Sequence, residues 1–218
     1  MLIHFGRNHF VKCRKNSRTV GDEMAGSRKA DKYNLIVDAA VKVIAENGYH
    51  NSQVSRIAKE AGVADGTIYL YFKNKEDILI SLFRERLGSL IDRFHHNIKD
   101  TDSTTGALRS ICETHFAALE EDVHLAFVTQ IELRQSSLEL RKEIGLVVKP
   151  YIELIENVVR QGIEAGEFRA DLDPKLTRLL LFGAMDEVVT SWLISGRKYS
   201  LKTQTYKTVA FLIRGLQA

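Results

Sequence analysis

From Tyr33 onward the apolar residues return at intervals of three and four, and the chain offers no convincing set of strands. That period puts apolar side chains on one side of an α-helix and restricts the fold to packed helices, so the expected class is all-α. Ile36, Ala39, Ala40, Val43 and Ile44 make the first stripe, which ends at Asn47-Gly48. Val54, Ile57, Ala58 and Ala61 make a shorter one, with Ser52 as its expected N-cap and Gly62 as its break. Only two prolines occur in 218 residues, so little interrupts the longer helices. These are expected over 78–98, 107–120, 123–134 and 138–165, and Pro150 should bend or divide the last of them. Asp173-Pro174 reads as a cap followed by a first helical residue, opening a helix over 176–194. A final helix is expected over 203–216. The last two helices are apolar on more than one face. Either they are central helices of a monomer, or a second copy of the chain covers them in a homodimer.

Charge is unevenly spread. Residues 1–75 carry 13 Lys and Arg against 7 Asp and Glu, whereas residues 76–218 carry 18 against 21. A polyanion suits the basic part, as does ordinary surface charge. Residues 1–30 show no sustained period and are expected to form a flexible basic arm; Met24 offers an alternative start within it. No apolar run is long enough to span a membrane, and Cys13 and Cys112 lie far apart, which suits a reduced, cytoplasmic setting. No GxSxG elbow, HExxH, Walker loop or zinc-spaced cysteine set is present, so no enzyme, cofactor or metal site is expected. His95-His96 and Asp186-Glu187 are adjacent pairs, and neighbours on a helix do not share a face.

The stretch AGVADGTIYLYFKNKEDIL, Ala61 to Leu79, could be mistaken for a turn and a strand. Its position after a short helix argues otherwise. Ile68 and Phe72 fall four apart and face inward together; Val63 pins the turn, and the Asp65 carboxylate suits a helix start. A helix–tight turn–helix results, the second helix running from Thr67 to Tyr71 with small and hydroxylated side chains outward. Gly66 would permit close approach to a duplex.

Residues 31–79 resemble the N-terminal domain of the TetR family of bacterial repressors. The likeness rests on the alanines of the first helix, Gly48, the IAxxAGV turn, the GTIYxYF helix and Lys75 opening the next helix. Ala64 departs from the pattern, since many relatives have a capping Ser there. The resemblance implies a three-helix DNA-binding domain over 31–76 and a larger helical domain for ligand binding and dimerisation over 77–218. It puts Thr67, Tyr69, Tyr71 and Lys75 near DNA, with Lys75 on a phosphate; Tyr69 could equally be core. Ser52, Gln53, Ser55 and Arg56 are candidates for phosphate or groove-edge contacts.

Within that family, the recognition region, TQIELRQSSLELR (129–141) and FGAMDEVVTSW (182–192) resemble acyl-CoA-responsive regulators of fatty-acid degradation in bacilli. This likeness implies repression of β-oxidation genes at palindromic operator DNA, with release by long-chain acyl-CoA. Leu87, Leu90, Phe94, Phe116, Phe127, Ile131 and Trp192 are then candidates for an acyl tunnel, or simply core. Arg134, Arg141 and Arg160 are candidates for the anionic head group, or solvated helix residues. A TetR-type repressor answering another apolar ligand is the alternative.

Overall fold

The computed structural model describes residues 20–134 and 137–217, with side chains described from Lys29. The chain divides into two compact units, one ending at Asn34 and the other running from Leu35. Nine α-helices and one 3-10 turn account for the ordered elements among the described residues, and no strand occurs there.

The first helices are α1 (Val20–Asn47), α2 (Val54–Glu60) and α3 (Asp65–Ile68). α1 begins well before Tyr33, so residues 20–30 of the expected arm are helical; the arm's first nineteen residues lie outside the described ones. Lys29 to Lys32 are exposed, so these four residues add nothing to a buried stripe that a period could reveal. α1 ends at Gly48, whose φ of +74° continues the chain in a conformation costly to any residue with a Cβ. Gly62, φ +67°, turns α2 into α3, and the Val63 N–H closes the turn onto the Ala58 carbonyl at 3.0 Å.

The body comprises α4 (Lys75–Ile98), α5 (Thr104–Glu121), α6 (Val123–Glu132), α7 (Leu138–Glu164), α8 (Pro174–Ile194), a 3-10 turn (Leu201–Gln204) and α9 (Thr205–Leu216). α4 packs on α5 and α7, α7 on α8, α5 on α9, and α6 on α8. Side chains set these boundaries. Asn74 caps α4 by accepting the Asp77 N–H at 2.8 Å, so the helix begins at Lys75 rather than Ile78. Ser103 caps α5 and starts it three residues before Ala107. Asp173 accepts from Lys175 and Leu176 at the start of α8, with Pro174 as first helical residue. Carboxylates from elsewhere reinforce the same α5 start and one further end: Glu167 accepts Thr104 and Thr105 N–H groups, and Glu120 accepts those of Leu201 and Lys202 at the 3-10 turn.

Pro150 does not divide α7, which runs unbroken through it. The proline deprives the Leu146 carbonyl of its helical donor, and Leu146 is 64% exposed, so water can satisfy that oxygen. α6 stops at Glu132, short of the expected Arg134.

Two faces of the body remain apolar and uncovered. Leu176, Leu179 and Leu180 of α8 and Phe211 of α9 are exposed, and Leu176, Leu180 and Phe211 flank a cleft of about 920 Å³ between the two helices. A contiguous apolar surface of this kind is costly in water.

Candidate functional site

Two regions stand out in the unit from Leu35 onward. The first is the surface around α3. Ile68 and Phe72 are buried as expected, so the side chains between them point outward. α3 itself is only four residues long, ending at Ile68 instead of Tyr71. Its hydrogen bonding tightens and continues, from Leu70 N to Thr67 O and from Tyr71 N and Phe72 N to Ile68 O. Tyr69 is 58% exposed, which excludes the core reading, and Leu70 is 76% exposed; Thr67 and Tyr71 are half-buried. Ala64 is the N-cap and supplies no side-chain hydrogen bond. A methyl group added at Gly66 would meet nothing within 4 Å, and its φ is an ordinary one. Nothing inside the chain therefore requires glycine there.

Among the other expected contact residues, Gln53 and Ser55 are exposed. Gln53, not Ser52, is the N-cap of α2, through its backbone. Ser52 is fully buried, and its hydroxyl faces the carbonyls of Gly48 at 2.8 Å and Val43 at 3.1 Å. It braces the loop after α1 and presents no oxygen to the surface. Arg56 is exposed and donates to Asn47 Oδ1 at 2.7 Å, tying α2 to the end of α1. The Lys75 ammonium donates to the His50 carbonyl at 3.0 Å and sits 4.5 Å from the centre of the Tyr49 ring. Partial burial lowers its pKa from the usual lysine value, opposed by the Glu132 carboxylate. Two of its three protons remain for other acceptors.

Glu132 joins this region to the body. It is buried at the end of α6, and its Oε1 accepts the Tyr49 N–H at 2.8 Å. Burial, together with the charges of Glu76 and Glu132, pushes the Tyr49 hydroxyl up to about 12.

The second region is a slot inside the body. Leu87 and Leu90 of α4 line it together with His115, Leu119, Leu125, Thr129, Gln130, Leu133, Val148, Tyr151, Phe182 and Asp186. It holds about 20 Å³, room for about one water. Four of its residues, Leu133, Val148, Phe182 and Asp186, also line a mouth of about 270 Å³ that opens beside Arg134 and Arg141. Arg134 donates to the Gln130 carbonyl at 2.8 Å and pairs with the buried Asp186 carboxylate.

The remaining candidates fall elsewhere. Phe94 is buried behind the slot and stacks on Tyr151 with ring centres 4.7 Å apart. Phe116 is core, and Phe127 is half-buried away from the slot lining. Ile131 is 57% exposed, because it lies on the opposite side of α6 from Leu133. Trp192 is buried, but its Nε1 donates to the Tyr199 carbonyl at 2.7 Å and holds the turn after α8. Arg160 donates to Glu156 at 2.6 Å, one turn back on α7, and is not at the mouth.

The slot's polar residues were not among the candidates. His115 is buried, with Nδ1 3.1 Å from the Tyr151 hydroxyl, and burial lowers its pKa to about 4 against a small opposing effect of Asp186. Burial likewise holds the Tyr151 hydroxyl well above its usual range. A titratable residue on the apolar stripe of α5, and an acid within apolar α8, were the available signals. Among the described residues no cluster able to hold a metal ion occurs, and no helix is long and apolar enough to cross a membrane.

Residues 36–82 match the profile of bacterial regulatory proteins of the tetR family, and residues 83–215 match the C-terminal region of YsiA-like proteins. The chain is 50% identical to the fatty acid metabolism regulator protein of Bacillus subtilis over 87% of its own length and 97% of the relative's. The crystal structure of the transcriptional regulator FadR from Bacillus subtilis, in complex with stearoyl-CoA, superposes with a TM-score of 0.82 at 50% identity. That match covers 85% of this chain and 100% of that one. The fatty acid degradation regulator FadR of Bacillus halodurans superposes equally well, at 47% identity, with the same 85% and 100% covered. With both its N-terminal and C-terminal regions matched, this chain belongs to the TetR family of bacterial regulatory proteins, which bind DNA and are not enzymes.

Proposed function

We propose that the chain is a homodimeric repressor of fatty-acid-degradation genes, bound to palindromic operator DNA and released by long-chain acyl-CoA. One observation carries the reading: α6 both walls the slot, through Leu125, Thr129 and Gln130, and holds the DNA-binding region, through Glu132 and the Tyr49 N–H. The relatives support the ligand class, since one of them was crystallised with stearoyl-CoA.

The DNA-contacting surface is the outward side of α3. Gly66 lets the backbone approach the duplex; Thr67 meets a base edge or thymine methyl, and Tyr69 and Tyr71 give hydroxyls to the backbone. Gln53, Ser55, Arg56 and the free protons of Lys75 serve phosphates. Two such surfaces must reach successive major grooves, roughly 34–36 Å apart. The exposed leucines of α8 and Phe211 of α9 supply the pairing surface between two copies.

A slot of about 20 Å³ cannot admit a long acyl chain without moving its walls. The chain enters past Arg134 and Arg141, which hold the phosphates of the CoA head. Helix α6 shifts, Glu132 carries the shift to Tyr49, and the two reading surfaces leave operator spacing. Operator affinity and ligand affinity must then be reciprocally coupled.

The test is a titration of β-oxidation promoter DNA at fixed salt, with and without acyl-CoAs of graded length. A short palindromic footprint, lost with long-chain acyl-CoA, is expected. Unchanged binding would refute the effector, and release by an unrelated apolar compound would favour a repressor of another ligand class.

A further inference from the structure

We propose that His115 and Gln130 form a polar subsite in the throat of the slot, hydrogen-bonding the carbonyl oxygen of a bound acyl thioester. The inference rests on the acyl-CoA reading above and adds how the ligand's reactive linkage is recognised.

Both side chains line the slot, and each keeps one fully buried nitrogen, Nε2 in both cases, with no hydrogen-bond partner in the chain. Their other polar atoms are engaged. His115 Nδ1 lies 3.1 Å from the Tyr151 hydroxyl, and Gln130 Oε1 accepts the Thr190 hydroxyl at 2.7 Å. These bonds orient both groups. The subsite uses the tautomer in which Tyr151 donates to Nδ1 and the imidazole proton sits on Nε2, and the Gln130 amide likewise presents N–H groups. His115 stays neutral at pH 7, because burial lowers its pKa to about 4. Two neutral donors therefore lie among mostly apolar walls, beside Thr129, Tyr151 and Asp186. Buried donors without acceptors are costly, and most native ones are satisfied. A carbonyl oxygen has two lone pairs and can satisfy both.

Position selects which part of the ligand meets them. Arg134 bonds the Gln130 carbonyl and pairs with Asp186, a residue shared by mouth and slot. Gln130 is thus at the junction. An acyl-CoA with its hydrocarbon inside the slot and its pantetheine arm leaving through the mouth carries its thioester at that level, with the phosphates farther out. Methylene groups at that level would leave both donors unpaired, so the subsite favours a ligand with an oxygen at the linkage.

The test uses the full-length chain and two ligands differing by one oxygen: stearoyl-CoA and the thioether S-octadecyl-CoA, which has no carbonyl. Direct binding is measured for wild type, His115→Phe and Gln130→Met. Wild type should bind the thioester 10- to 100-fold more tightly, and in each variant this ratio should fall toward one. Because the ratio is taken within one protein, partial loss of folding cannot imitate its collapse. Equal binding of both ligands by wild type, or ratios unchanged in both variants, would overturn the subsite while leaving the acyl-CoA reading intact. Failure of wild type to bind either thioester or thioether would overturn that reading and the subsite together. Binding of free stearate as tightly as stearoyl-CoA would assign the donors to a carboxylate and overturn the thioester role.

Discussion

The buried carboxylate of Glu132, on α6, accepts the backbone N–H of Tyr49 from the loop after α1 at 2.8 Å. It spans 83 residues of sequence and links a wall of the interior slot to the helix-turn-helix region. Glu132→Ala strands a buried N–H and should destabilise the fold by about 1–3 kcal/mol. Glu132→Gln keeps an acceptor and should cost less than half as much. Urea unfolding midpoints separate the two. In both variants operator release by ligand should weaken more than ligand binding does, read by comparing the two titrations.

Gly66→Ala separates folding from DNA binding. Alanine meets nothing within 4 Å and is the better helix former by at most about 1 kcal/mol. Thermal stability should stay level or rise slightly, whereas operator affinity should fall at least about tenfold, or ~1.4 kcal/mol. A variant that binds operator as wild type would refute close approach at this position.

Gly162→Ala should do the opposite. Its Cβ would lie 2.1 Å from the Phe168 ring, and the Phe168 N–H is pinned to the Gly162 carbonyl at 2.9 Å. Neither can move without repacking the turn after α7. Overpacking of this kind costs about 1–3 kcal/mol, visible as a lowered melting temperature. Phe168→Leu in the same chain should recover part of the loss.

Acid should destabilise the body through His115. Its folded pKa is about 4, below the ordinary 6.5, so between those values the unfolded chain binds more protons. The contribution is nil above pH 6.5. Stability is lost as pH falls from 6.5 to about 4, by at most about 3 kcal/mol. Tyr151 stays protonated throughout this range, and Asp186 weakens the effect slightly by favouring the imidazolium. His115→Gln should flatten the stability curve over this interval. A slope unchanged in that variant would assign the acid sensitivity to other groups.

The helices were legible wherever they bury a stripe. Ile68 and Phe72 gave the inward side of α3, and Asp173-Pro174 marked the start of α8 to the residue. Periodicity reports burial and not helicity, so it was silent over residues 29–32 of α1, which are exposed. Ser52 has the composition of a cap, but the loop turns the Val43 and Gly48 carbonyls toward it and it folds inward. Leu87, Leu90, Arg134 and Arg141 were recognised as slot or mouth residues; Trp192 and Arg160 were not excluded, because their partners Tyr199 and Glu156 are tertiary or rotamer choices. The grouping of His115, Gln130, Tyr151 and Asp186 was the least legible part. They come from four helices, and only packing brings them to one place.

The ten residues of α6 restrict how such a chain can acquire a new ligand. Leu125, Thr129 and Gln130 face the slot, and Glu132, the last residue of the helix, holds the Tyr49 N–H. A change of size on α6 is therefore felt by ligand and operator at once. Leu87, Leu119 and Val148, on α4, α5 and α7, take no part in that bond and can be enlarged or trimmed with it left in place. Redesign for shorter, longer or branched ligands should begin on those three walls, where a sensor can be retuned without first being broken as a switch.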